Sequence, residues 1–191
     1  MSSAPLTRLT PEEYLERERK AEYKSEYYQG EVFAMAGASP NHGSVVTNLV
    51  ASLHGRLKGR GCKVWATDLR LRVSATGLYT YPDVMVVCGP PSLADDRRDT
   101  LLNPNLIIEV LSDSTRDYDR GRKFQQYRTL ASLLEYVTVE QDGVHVEQWA
   151  RQPDQRWMLT EVEDTGATLS LASIGVDLPL SEIYEGIEFG G

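Results

Sequence analysis

The chain has 191 residues, a net charge of −8, 41% hydrophobic residues and 25% charged residues. These proportions are typical of globular proteins and exclude disordered, collagen-like and coiled-coil chains. No apolar stretch approaches the about 20 residues of a membrane helix, no secretory signal pattern is visible, and two cysteines are too few for a disulfide framework or a zinc site. We therefore expect a single cytoplasmic domain over residues 1–191, with its core at about 10–185 and no membrane partner.

The N-terminal third predicts two helices that flank a short strand. A capping box at Thr10–Glu13, with proline at the first helical position, predicts a helix over about Pro11–Ser25. A strand is expected over Glu31–Met35. A second cap at Ser39–Pro40 predicts an amphipathic helix that ends at Gly59.

The middle of the chain predicts strands. Two short ones are expected at Cys62–Thr67 and Leu69–Val73, the second with alternating apolar and arginine residues. YTYPDVMVV at 79–87 and LIIEVL at 106–111 are apolar almost throughout, which is typical of central strands buried on both faces of a sheet.

The remaining pattern predicts one more helix and a C-terminal group of strands. The helix is expected to start at Ser114–Asp117 and to reach about Leu130. The segments expected after it are a strand at Leu134–Glu140, its hairpin partner at Val144–Ala150, a strand at Trp157–Glu163 and a terminal segment at Pro179–Tyr184. This order predicts an α/β protein with a central mixed sheet, flanking helices and a C-terminal β-hairpin extension.

Two carboxylates stand where a core strand should be apolar. Asp83 opens one of the buried strands, and Glu109 lies in the middle of the other. A buried ionised carboxylate is costly unless it is paired, hydrogen-bonded or bound to a cation, and a single such residue is commonly a structural acid. If the two strands are adjacent, their acids meet at one end of the sheet and form a hard oxygen site for Mg²⁺.

Two further residues are candidates for the same site. Lys123, on the helix after the second strand, could bring its ammonium to the metal, where it would orient a water or stabilise phosphate charge. Glu31, at the start of a short strand, could add a ligand. The simpler alternatives are a surface lysine and an exposed acid at a strand edge.

Several segments together resemble one protein family. They are GEVFAMAG at 30–37, NHGSVVTNLVASL at 41–53, YPDVMVV at 81–87, LIIEVLSDSTRDYDRGRKFQQY at 106–127 and LEYVTVE at 134–140. In this order they resemble the Uma2 family, also called DUF820, of endonucleases with the PD-(D/E)XK restriction-endonuclease-like fold. The resemblance covers about residues 10–185.

The resemblance implies Mg²⁺-dependent cleavage of phosphodiester bonds, with Mn²⁺ as a substitute. It maps the metal-binding acids onto Asp83 and Glu109, with the carbonyl of Val110 as a further ligand, an additional acid onto Glu31 and the catalytic lysine onto Lys123. In the broader nuclease motif the lysine lies two residues after the acid, a position that Leu111 occupies here. Lys123 would have to replace it from the following helix.

The implied substrate is DNA. The acidic net charge by itself disfavours a nucleic-acid partner, but the acidic residues are concentrated in the C-terminal third of the chain. Residues 134–191 carry a net −10, whereas residues 54–72 carry six basic residues and one acid. Nucleases that cut both strands commonly pair two active sites, so a homodimer is expected. The candidate nucleic-acid contacts are one histidine at a helix N-terminus and three arginines of the third helix, namely His42, Arg116, Arg120 and Arg122.

Other functions stay open at this stage. A catalytically inactive nuclease-fold domain that binds protein or nucleic acid is the main alternative, and the acidic net charge and the displaced lysine favour it. An enzyme that acts on a small phosphorylated molecule is a third possibility. No phosphate-binding loop or dinucleotide motif is present, so no nucleotide cofactor is expected.

Overall fold

The computed structural model describes residues 8–35, 37–112 and 116–189. Its α-helices are α1 (Pro11–Glu18), α2 (Pro40–Leu57), α3 (Arg116–Tyr118), α4 (Phe124–Tyr127) and α5 (Leu180–Ile183), and a π-helical segment, Asp119–Lys123, joins α3 to α4. Its strands are β1 (Ser25–Tyr28), β2 (Glu31–Ala34), β3 (Cys62–Ala66), β4 (Arg70–Val73), β5 (Leu78–Thr80), β6 (Val84–Cys88), β7 (Thr100–Leu101), β8 (Leu106–Leu111), β9 (Glu135–Glu140), β10 (Val146–Arg151), β11 (Trp157–Val162), β12 (Thr168–Leu171) and β13 (Val176–Pro179).

The first helix is shorter than the sequence predicts. Its capping box is present, but α1 ends at Glu18, and the expected end of the helix at Ser25 starts strand β1 instead. The Glu18 carboxylate accepts hydrogen bonds from the backbone N–H and the hydroxyl of Ser25, which fixes the chain reversal. Tyr27 of β1 then stacks on Tyr14 of α1, so burial of aromatic rings favours the strand over a longer helix.

The central sheet is mixed and six-stranded, with the order β11-β10-β9-β8-β6-β3. Strands β8 and β9 are parallel, and the other neighbours are antiparallel. The apolar residues of β6 and β8 contribute to two separate core clusters, one against α2 and one against α4, which confirms that these strands are buried on both faces. A five-stranded sheet, β2-β1-β5-β4-β7, and a hairpin of β12 and β13 complete the strands and were not predicted as separate sheets.

Helix α2 has the amphipathic face that its sequence predicts. Its buried residues, Val45, Val46, Leu49, Leu53 and Leu57, pack on the central sheet. The Ser39 side chain caps its first turn, and Gly59 follows its end with a positive φ.

The third helix is irregular rather than continuous. Its predicted start at Ser114–Asp117 falls partly outside the described residues, and the described part begins with α3 at Arg116. The π-helical segment places one extra residue in the turn that leads to Lys123.

The two cysteines of the chain form a disulfide within the central sheet. Cys62 and Cys88 lie opposite each other in β3 and β6 and are joined by a disulfide, which the cysteine count alone does not predict.

Within the described part of the chain, no helix combines the length and the apolar character needed to cross a bilayer.

Candidate active site

Asp83 and Glu109 meet because their strands are neighbours. Val84 at the start of β6 pairs with Ile108 of β8, so the two acids lie side by side at one end of the pair. The Asp83 carboxylate accepts a hydrogen bond from the backbone N–H of Val110 at 2.8 Å. The Glu109 carboxylate accepts one from the backbone N–H of Asp83 at 3.3 Å. The two strands are thus adjacent, which is the condition on which the sequence argument for a shared site depends.

Lys123 reaches this pair from the π-helical segment. Its Nζ lies 3.2 Å from Glu109 Oε1, although 14 residues separate the two along the chain. The same ammonium contacts Glu26 Oε1 at 3.2 Å and Asp119 Oδ1 at 3.0 Å. The lysine side chain is buried, so these ion pairs are shielded from water.

The sequence did not point to Glu26, Asp119 or Tyr127 as parts of this site. Glu26 lies on β1, just after the segment that the sequence assigns to a helix. Asp119 precedes Lys123 by four residues, and this helical spacing was the available signal for it. The Tyr127 hydroxyl donates a hydrogen bond to Glu109 Oε1 at 2.7 Å, whereas the sequence indicates only an inward-facing aromatic residue.

Carboxylates outnumber cations among the described side chains that meet here. Burial raises the pKa of Glu109 to about 8, and the neighbouring carboxylates of Asp119 and Asp83 act in the same direction against Lys123 and the Tyr127 hydroxyl. Burial lowers the pKa of Lys123, but the surrounding acids outweigh it and raise that pKa well above its ordinary value. Lys123 is therefore charged, while Glu109 holds its proton more firmly than an ordinary glutamate.

His42 borders the site from the first turn of α2. Its Nε2 lies 3.3 Å from Asp83 Oδ2, and its side chain is mostly buried. Burial lowers the pKa of His42, but the Asp83 carboxylate and the backbone carbonyl of Val110 outweigh this and raise it above the usual value. The imidazole thus faces two of the oxygen-bearing groups that the sequence assigns to the metal.

Glu31 is not brought to this cluster. It lies opposite Tyr28 in the exposed strand β2, and no hydrogen bond or ion pair joins it to the other candidate residues within the described ranges. Glu26, on the partner strand β1, makes the carboxylate contact to Lys123 instead.

Two of the three arginines expected to contact nucleic acid are engaged within the protein. Arg116 pairs with Glu140 at 2.8 Å, and Arg120 pairs with Glu140 at 3.1 Å and with Glu147 at 3.1 Å. Their side chains are partly buried against β9 and β10. Arg122 is exposed next to the site.

A second cluster with ligating side chains lies on β10 and β11. Among the described residues, only His145, Glu147 and Glu161 place three histidine or acidic ligand atoms within 4.8 Å of one another. The Arg120 guanidinium already contacts His145 at 3.3 Å and Glu147. The Arg120 guanidinium thus already pairs with two of these three side chains.

Comparisons with known proteins agree with this architecture. A model of the Uma2 family, described as "Putative restriction endonuclease", matches residues 11–181. Two uncharacterized proteins of Synechocystis sp. are similar: sll1609 is 38% identical over 164 residues (86% of this chain, 93% of the relative), and slr1290 is 36% identical over 189 residues (98% and 97%).

A solved structure shows the same fold. The crystal structure of "a putative nuclease belonging to DUF820" from Anabaena variabilis matches with a TM-score of 0.77 at 15% identity, over 94% of this chain and 99% of that one. The mixed α/β architecture is thus the restriction-endonuclease-like fold that the sequence predicts. With the family match over most of its length, this chain belongs to the Uma2 family.

Proposed function

We propose that this protein is a metal-dependent endonuclease that hydrolyses phosphodiester bonds in DNA. The observation that carries the proposal is the contact of Asp83, Glu109 and Lys123 at one end of two buried strands. The Uma2 family and the Anabaena structure are both described as nucleases, which supports the reaction class.

The side chains present fit a divalent metal ion. Asp83, Glu109 and the Val110 carbonyl offer hard oxygen donors, which Mg²⁺ and Mn²⁺ accept. Burial is the main cause of the raised pKa of Glu109, the Asp119 and Asp83 carboxylates add to it, and a bound cation would favour the ionised form. When bound, the ion would supply Lewis-acid stabilisation of the developing phosphate charge and a lowered pKa for a bound water.

Lys123 has the second role in this proposal. Glu26 and Asp119 hold its ammonium in place, so that it approaches Glu109 without sampling many side-chain conformations. A fixed ammonium beside the reacting phosphate would position the attacking water and stabilise negative charge. A lysine held inside the site in this way also argues against the alternative of an inactive binding domain.

DNA is the proposed substrate, and Arg122 is the proposed phosphate contact beside the site. The six basic residues of the segment 54–72 should contribute less to DNA binding than their number suggests, because Arg56 pairs with Glu182 and Arg70 is buried. Phosphate contacts make binding weaker as salt increases. We also propose a homodimer in solution, which a sedimentation mass near that of one 21.4 kDa chain would refute.

The test is cleavage of supercoiled plasmid DNA in the presence of Mg²⁺ or Mn²⁺. Asp83→Asn should abolish cleavage and leave the melting temperature close to that of the wild type. Asp177→Asn, on an exposed position of β13, is the matched control and should cleave normally. Cleavage that survives Asp83→Asn would refute the site, and a wild type that binds DNA without cutting it would favour the inactive binding domain.

A further inference from the structure

A small open cavity lies at the end of the β10–β11 hairpin, where the hairpin meets the end of α4. Two arginines line it, Arg128 and Arg151, together with Thr129, Gln155 and Trp157. Its volume is about 270 Å³, several times the about 30 Å³ that one water takes up in the liquid. None of the described residues that line the cavity is acidic, so its walls carry only positive charge.

The guanidinium of Arg151 is held in one orientation at this cavity. Its Nη2 donates hydrogen bonds to the backbone carbonyls of Arg128 and Leu130 at 2.7 and 2.9 Å, and its Nη1 donates one to Gln155 Oε1 at 3.3 Å. The guanidinium carbon lies 4.9 Å from the centre of the Trp157 ring. Because it is already fixed, this guanidinium would lose little conformational freedom on binding an anion.

The positive charge of Arg151 has no acidic partner in the described part of the chain. The groups that accept its hydrogen bonds are two backbone carbonyls and an amide, none of which carries a full charge. Burial lowers the pKa of Arg151, and no carboxylate acts against this effect. Its Nε is also buried without a hydrogen-bond partner among the described groups. The guanidinium is therefore short of both a counter-charge and an acceptor, and an anion could supply them.

Arg128 brings a second positive charge to the same cavity. Its side chain is exposed, and within the described ranges no ion pair joins it to an acid. It lies about 8 Å beyond Lys123 along the helical segment, at about 1.5 Å per residue. Phe124, the residue after Lys123, also packs against Trp157 with ring centres 5.3 Å apart. The cavity is thus close to the candidate active site.

The acids of the same hairpin face lie away from the cavity. Glu147 and Glu161 are paired across β10 and β11, as are Arg151 and Trp157 at the other end of the hairpin. About 13 Å of strand separates the two pairs, at about 3.3 Å per residue. An anion in the cavity would therefore meet the two arginines and not these carboxylates.

We infer that Arg128 and Arg151 form a phosphate-binding subsite for the DNA backbone, away from the bond that is cut. Guanidinium groups bind phosphate through paired, charge-assisted hydrogen bonds. Contacts of this kind set the position of a protein on DNA without reading its sequence. This inference rests on the proposed function, because it takes DNA as the substrate. It adds a contact that is independent of the metal ligands.

The first experiment measures how salt weakens binding of the full chain to a short fluorescent duplex, with EDTA present so that no cleavage occurs. Arg128→Gln and Arg151→Gln should each reduce the slope of log K against log salt by about one. Arg156→Gln is the matched control, since this exposed arginine of the same hairpin is already paired with Asp154, and its slope should equal that of the wild type. Because Arg151 also holds the carbonyls at the end of α4, a thermal melt accompanies its variant.

The second experiment is NMR of the wild type and needs no variant. The Arg151 Nε–H is buried, so its exchange with water should be slow enough for its ¹⁵N signal to be observed. Titration with the duplex should shift this signal and leave that of Arg156 unchanged. A parallel titration with a deoxynucleoside monophosphate tests whether a free small phosphate is the ligand instead, and the duplex should act at much lower concentration.

The outcomes separate this inference from the proposed function. An unchanged slope in Arg128→Gln, an equal reduction in Arg156→Gln, or an Arg151 signal that the duplex leaves unmoved would overturn the subsite and leave the nuclease site intact. A signal that moves with the monophosphate but not with the duplex would assign the cavity to a small phosphorylated molecule and overturn the inference as well. A wild type that does not bind DNA would overturn the DNA substrate and the subsite together.

Discussion

Replacing Glu109 by glutamine should stabilise the metal-free protein at alkaline pH. Glu109 is 2% exposed, and its burial, together with the nearby Asp83 and Asp119 carboxylates, disfavours its ionisation more than Lys123 favours it. Glutamine has nearly the same shape and carries no charge at any pH. The variant therefore removes an unfavourable buried charge while it keeps the side chain's volume.

The magnitude follows from the pKa of Glu109, which is 4.5 for an ordinary glutamate and about 8 in the folded protein. An acid with a raised folded pKa retains its contribution to stability at low pH and loses it as the pH rises toward that pKa. Between about pH 5 and about pH 9, the wild type should lose about 4 kcal/mol that the glutamine variant keeps. A fixed cost of glutamine, such as a weaker hydrogen bond to the Asp83 N–H, is the same at both pH values and cancels in the difference.

Urea denaturation in the presence of a chelator measures this difference. The free energy of unfolding of Glu109→Gln relative to the wild type should increase by several kcal/mol between about pH 5 and about pH 9. Glu185→Gln, an exposed acid near the C-terminus, should show no such change. A relative stability of Glu109→Gln that is constant across this pH range, or that falls, would refute the conclusion that burial disfavours the ionised form of Glu109.

Three further predictions concern other parts of the molecule. Lys123→Met leaves the surrounding carboxylates without their cation and should lower the free energy of unfolding by about 3–5 kcal/mol near neutral pH. The control Arg122→Met, at an exposed position, should change it by less than about 0.5 kcal/mol. Similar urea midpoints for the two variants would contradict this prediction. Cys62→Ser opens the loop closed by the disulfide to Cys88, 26 residues away, and should cost about 3 kcal/mol without reductant. A reductant should lower the stability of the wild type equally, and a wild type indifferent to reductant would count against the disulfide. Arg122→Ala should reduce the salt dependence of DNA binding by about one phosphate contact, measured by fluorescence anisotropy, and an unchanged slope would exclude Arg122 from the interface.

The sequence was sufficient for the two strand acids. A carboxylate surrounded by isoleucine and valine is so costly that Asp83 and Glu109 were visible without any tertiary information. The apolar runs around them predicted that both strands are buried in the sheet, but the pairing of the two strands was a condition that only the structure supplied. Lys123 was a candidate because it lies on the helix that follows the Glu109 strand, and the family resemblance then assigned it the role of the catalytic lysine.

Glu26 was not predictable because a tertiary contact decides the local structure around it. The capping box marks where α1 starts, but no glycine or proline marks its end, and the helical pattern continues to Ser25. The end is set by the hydrogen bonds between Glu18 and Ser25 and by the stacking of Tyr27. Without the strand, nothing indicated that Glu26 points to the lysine.

Arg116 and Arg120 are residues for which the sequence predicted a DNA contact but could not reveal their pairing partners within the protein. In the sequence they form a basic helix face, which is typical of phosphate contacts. The acids that pair with them, Glu140 and Glu147, are 24 and 27 residues away from Arg116 and Arg120 on other strands. Pairing at such separation depends on the sheet order, which composition does not encode.

The π-helical segment makes the chain's length between Glu109 and Lys123 as important as the identities of the two residues. Each residue of an α-helix turns the chain by about 100°, and the extra residue of the π turn sets the direction in which Lys123 leaves the helix. A deletion of one residue between Tyr118 and Lys123 would therefore rotate the ammonium away from Glu109 even if every contacting side chain were kept. Substitutions that keep the length of this segment leave the backbone position of Lys123 unchanged, whereas an insertion or deletion within it would move the lysine away from the strands.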